Sequence, residues 1–234
     1  MHPKPLAIAG VLALPVVVLA ACVGCGQTSD RPAVPVDMSL LTGEPCEPPC
    51  WHGLTPGVST EDEVNEFLAT SELVDQSTLF RGDLTSGLGE VVGVAVQWWS
   101  RADMASGPSP LGNNLSIRDG VLHDMIIGLD VEVVLQDLLE RYRPPDKFSA
   151  WAEGVEIPYV NVSLYYPRHG LMLTLIIPLD DPQLTPESRV VQVWYFRAAS
   201  LEDLLVPTRD ARYPSVSEDT LQDWHGYGPI DLVP

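Results

Sequence analysis

Asp119-Gly120 stands between two apolar-rich segments, residues 115–118 and 121–127, and no other dipeptide restricts the fold of this chain so strongly. An Asp-Gly pair supplies the left-handed backbone positions of a tight hairpin turn, which commits the flanking segments to antiparallel pairing. A second hairpin is expected at Pro167-Arg-His-Gly170, joining residues 160–166 to 171–178. Residues 91–99 place Val92, Val94, Val96 and Trp98 on one face, and 190–196 read as a further strand. Residues 102–114 form a loop of Gly, Ser and Pro. The 18 Gly and 22 Pro of the chain favour many turns and short elements.

Two helix signals interrupt the strands. Thr60 is placed to cap the first and Glu63 to complete a capping box, with Glu61, Asp62 and Glu63 at the positive end of the helix dipole. An acidic first turn explains these three carboxylates better than a cation site does. Val64, Phe67 and Leu68 form the apolar face. The second helix is expected to start at Asp130, run through Val131, Val134, Leu135, Leu138, Leu139 and Tyr142 on one stripe, and end at Pro144-Pro145. A short capped turn of helix is expected over residues 200–205. The order helix, three strands, helix, three strands predicts an α+β fold, an antiparallel sheet with helices packed on one face. It suggests two tandem helix-plus-three-strand units, residues 46–129 and 130–205, followed by a tail, 206–234, that docks through Trp224 and Tyr227.

The first 21 residues stand apart from this body. Lys4 and His2 precede an apolar run over residues 6–21, too short for the roughly 20 residues of a membrane span and interrupted by Pro15. Leu19-Ala20-Ala21-Cys22 resembles the lipobox of bacterial lipoproteins. The resemblance implies diacylglycerol on the Cys22 sulfur, cleavage just before it, and a membrane anchor on the extracytoplasmic side. Residues 22–45, with Gly24, Gly26, Pro32 and Pro35, read as a flexible tether, although 38–41 could dock locally. Outside the cytoplasm the default for Cys46 and Cys50 is a disulfide. A metal site from Cys46, Cys50 and His52 lacks a fourth ligand nearby. Cys25 is free, paired between chains, or idle.

Gly53-Leu-Thr-Pro-Gly-Val-Ser-Thr-Glu-Asp-Glu-Val64 resembles the opening of the helix in small outer-membrane-assembly lipoproteins of the SmpA/OmlA type. The beta-lactamase-inhibitor-protein fold is similar and joins two such units in tandem. In both groups the activity is binding another protein. Cys46-x-x-x-Cys50-Trp51-x-Gly53 also resembles a segment of uncharacterised bacterial lipoproteins, which implies no particular function.

With 32 acidic against 13 basic residues, net charge −19, the body repels phosphate backbones and anionic headgroups. Nucleic acid is therefore excluded as a partner, and membrane attachment rests on the lipid. No catalytic motif, cofactor fingerprint or metal-ligand spacing is present among the four histidines beyond His2. Paired aromatics on strands put one ring into the core and its neighbour outside. Trp51, Trp99, Tyr166 and Tyr195 are the candidate anchors for a partner. The chain thus reads as a lipid-anchored protein-binding or envelope-assembly module without cofactor. The alternative is an envelope enzyme or solute-binding lipoprotein with a site built from scattered residues.

Overall fold

The Asp119-Gly120 turn joins β3 (Asn113–Arg118) to β4 (Val121–Val134), with both turn residues at positive φ, 51° and 73°. This hairpin lies within one continuous antiparallel sheet in the computed structural model, which describes residues 37–85, 88–99, 112–154, 158–198 and 218–232. The other members are β1 (Phe80–Thr85), β2 (Val91–Trp98), β5 (Lys147–Glu153), β6 (Tyr159–Tyr166), β7 (Leu171–Pro178) and β9 (Arg189–Phe196). Their order is β1-β2-β3-β4-β9-β7-β6-β5. Each run of hairpins starts at an edge and works inward, and the two runs meet where Asp124 pairs with Phe196 and Ile127 with Val193. A single rotated turn of helix, Pro167–His169, closes the second expected hairpin, with Gly170 in the left-handed region.

The expected α+β class is overturned: the protein is mostly β. Among the described residues the α-helices are α1 (Ser39–Thr42), α2 (Glu61–Thr70) and α3 (Leu135–Tyr142), of four, ten and eight residues. The tandem helix-plus-three-strand units are likewise replaced by one eight-stranded sheet inside one compact unit, Val34–Pro234. Three local causes account for the difference. Phe80-Arg-Gly-Asp-Leu-Thr85 alternates only through Phe80 and Leu84 with a glycine between them and two charges opposite, so β1 carries a weak strand signal of its own. β5 follows Pro144-Pro145 and exists through pairing with β6, Lys147 opposite Tyr165. At the expected start of the second helix, residues 130–134 remain strand: Val133 pairs with Val190, and helix begins only after the extended Val134. The N-cap position falls at Val134, not at Asp130.

α2 forms as its sequence dictates. Thr60 Oγ1 accepts from Glu63 N, and the Glu63 carboxylate accepts from Thr60 N at 2.7 Å. Val64 and Leu68 point into the core. α1 lies within the stretch read as tether; its Leu40 is buried, and Tyr142 of α3 donates to the Leu40 carbonyl. The core joins these side chains to Leu135 and Leu138 and to one face of the sheet, including Leu115, Met125, Leu164, Leu173 and Val193. The C-terminal residues dock as well. Gln222 exchanges two backbone hydrogen bonds with Phe148 of β5, and β10 (Gly228–Pro229) pairs with β8 (Gln183–Leu184). The short helix expected over 200–205 lies outside the described residues.

Candidate functional site

One face of the sheet packs against α1, α2 and α3; the other is built from a different chemistry. Following the register across all eight strands, one row runs Phe80, Gln97, Asn114, Ile126, Trp194, Met172, Tyr165, Lys147. A neighbouring row runs Gly128, Gln192, Thr174, Ser163, Ser149. Neither row holds a carboxylate, although the chain has 32. Asp124, on an adjacent rung, is sealed and hydrogen bonds with His123 Nδ1 at 2.8 Å. Phe80 is 63% exposed, while Asn114, Ile126, Trp194, Met172 and Gln192 are half-buried. Ile126, Trp194 and Met172 lie outside the core cluster, whereas Phe196 on the same face is buried.

Strand alternation produces this division. Half-buried Trp194 and buried Phe196 stand on this second face with their rings 5.5 Å apart, tilted edge to face, while Tyr195 between them points to the helix-covered side. Ser149 and Tyr165 share a buried hydroxyl hydrogen bond of 2.9 Å, and burial pushes the Tyr165 hydroxyl above its ordinary value. Toward the β2–β3 end the face deepens into a cavity of about 330 Å³. Its lining includes Gln97, Trp99, Gly112, Asn114, Ile126 and Gln192.

Of the four aromatic candidates, only Trp99 is surface, at 44% exposure. Trp51 is 3% exposed, with its ring against Phe67 and Trp98. Tyr166 is 3% exposed and donates to the Arg143 carbonyl, and Tyr195 is 2% exposed. Burial raises both of these tyrosines far above their usual range. They serve the core and are not available to a partner. For Tyr166 the signal was already in the chain, since Val160, Val162, Leu164 and Tyr166 alternate onto one face. Tyr195 escapes simple alternation: Val190 and Val193 both point inward, and this one-residue slip reverses the parity of everything after it. That slip is also why sequence reasoning missed Trp194. Gln97, Asn114 and Met172 carry no individual signal; pairing alone gathers them.

A second polar cluster ties the N-terminal segment to the body. Asp37 accepts from the Trp51 indole at 2.7 Å and from Ser39 N at 2.9 Å, and its other contact is His52 Nε2 at 3.0 Å. Burial pushes the Asp37 carboxyl up, but the bonds from His52, Ser39 and Trp51 outweigh it and hold the group down at about 2. Beside it Cys46 and Cys50 are joined as a disulfide, with Cα atoms 5.7 Å apart. Every strong bond of the Asp37 cluster is spent within the protein, which makes it a fastening rather than a reactive centre.

Among the described residues no group of three or more His, Cys, Asp or Glu is placed to hold a metal ion. No described helix is long and apolar enough to cross a membrane. Cys22 and Cys25 lie outside the described residues. Comparison with protein-family models, with curated proteins and with solved structures finds no match for this chain, so the reading of the site rests on its own geometry.

Proposed function

We propose that this protein is a lipid-anchored, extracytoplasmic binding module that holds a protein partner on the second face of its sheet, where Phe80, Gln97, Trp99, Ile126, Met172 and Trp194 keep accessible surface. The supporting observation is the carboxylate-free pair of rows across a strongly acidic molecule. Aromatic residues and Met at the centre with charge excluded to the rim is the composition of a protein-binding surface. The carboxylates elsewhere would steer a partner with a basic rim toward that neutral centre. The lipobox-like Leu19-Ala20-Ala21-Cys22 supports anchoring at Cys22. Two or three acyl chains hold firmly where one binds only reversibly.

The test places a photo-crosslinking amino acid at Gln97 or Met172 in the full chain and, as control, at Val58, which is 71% exposed and off the sheet face. After irradiation in host membranes, one partner captured from both face positions and not from Val58 is expected. The purified pair should then bind in solution, with Met172→Arg weakening it by at least about tenfold. Capture that is equal at Val58, or absent at both face positions, overturns the reading. For the anchor, Cys22→Ala is expected to release the protein into the soluble fraction. Wild-type protein already found there would refute the lipid assignment.

A further inference from the structure

We propose that the cavity beside Trp99 is a binding subsite for a neutral sugar ring. This goes beyond the protein-binding reading and does not depend on it. The inference starts from what lines the cavity and what does not. Trp99, just past the end of β2, offers an indole that is 44% exposed. Gln97, Asn114 and Gln192 bring three carboxamides to the wall from β2, β3 and β9, and Ile126 supplies an apolar patch. Among the described residues no lining side chain is ionisable.

Each carboxamide carries two donors and an acceptor on one planar group. A sugar hydroxyl donates and accepts at once, so several amides converging on one space match a polyhydroxylated ligand. An anionic or cationic ligand would be left with its charge unpaired there, at a high desolvation cost. A tryptophan ring adds a flat apolar face, complementary to the C–H face of a pyranose. The cavity, about 330 Å³, stands at the small end of ligand pockets, about 300–1,000 Å³.

One further observation indicates a built site. Gly112 sets the platform: a Cβ there would lie 3.0 Å from Trp99 Cε3, so the indole rests close against the chain and any larger residue would displace it by a few tenths of an ångström. From the other side Thr78 Oγ1 accepts from Trp99 N at 3.2 Å, which holds the backbone that carries the ring.

The experiment uses the full chain in detergent and titrates maltotriose and N,N′,N″-triacetylchitotriose, both neutral, with trigalacturonate as the charged control. Calorimetry and saturation-transfer NMR report binding. At least one neutral trisaccharide should bind, and the charged trimer should not. Trp99→Ala should weaken binding by at least about tenfold, and Gln97→Ala, at an exposed position, by several-fold. Circular dichroism confirms that each variant is folded, and the exposed Gln97 keeps the test valid should Trp99→Ala unfold. Failure of both neutral sugars to bind, preference for the charged trimer, or equal affinity in wild type and both variants would overturn the proposal. A protein partner captured at Met172 while no sugar binds would refute the subsite alone.

Discussion

Asp37 shows how much one side chain can carry in a protein of this size. Its carboxylate accepts a hydrogen bond from the buried Trp51 indole and fastens the chain just ahead of α1. Asp37→Ala strands that N–H in the core, so a loss of about 2–3 kcal/mol is expected in urea unfolding. The pH dependence follows from a folded value of about 2 against an ordinary 3.8. A group lowered on folding stabilises above its unfolded value and loses that contribution as pH falls. Stability should therefore decline between about pH 4 and pH 2 by roughly 2 kcal/mol from this group, and Asp37→Ala should abolish that component. Gly93 is a residue-scale constraint of another kind. A Cβ there would stand 2.0 Å from the Ile117 carbonyl oxygen of the paired strand. Gly93→Ala should force β2 and β3 apart and cost about 2–3 kcal/mol, seen as a lower thermal midpoint.

At the scale of elements, two devices act before any long-range pairing. The capping box of α2 satisfies orphan N–H groups at its first turn, and Thr60→Ala should cost about 1 kcal/mol. The Cys46–Cys50 bridge closes a short loop that delivers Trp51 to the core. Replacing both cysteines with serine should lower stability by about 2 kcal/mol on the loop-closure argument, measured in urea with and without reductant. α3 illustrates the opposite case. Its stripe of Val131, Val134, Leu135, Leu138 and Tyr142 suits a helix from residue 130 onward, yet the first turn of that stripe is strand. β-branched valines pack well on a pleated surface, and β9 offers Val190 and Arg189 as partners for Val133 and Val134. A partner strand far away in sequence decided a local ambiguity.

At the scale of the whole molecule, the sheet has two edges, β1 and β5, treated differently. β5 is covered in part by the C-terminal residues: Gln222 bonds Phe148, Asp223 pairs with Lys147, and the Trp224 ring lies 6.2 Å from that of Phe148. Ending the chain at residue 217 would remove this cover together with the buried Ile230. A loss of about 3 kcal/mol is expected, with concentration-dependent association through the bared β5 edge visible in size-exclusion chromatography. What the sequence determined by itself is local: the turn at Asp119-Gly120, the Pro167–Gly170 reversal, the cap of α2, and the inward alternation of Val160, Val162, Leu164 and Tyr166. These depend on backbone preference and period, which neighbouring residues suffice to set. The tertiary structure alone decided that the strands form one sheet joined at β4 and β9, that Trp194 faces outward and Tyr195 inward, and that Gln97, Asn114 and Gln192 meet at one cavity. Such outcomes depend on register between strands distant in sequence, as where Asp124 of β4 pairs with Phe196 of β9, and a slip of one residue exchanges the faces. Nothing written locally in the chain fixes that slip.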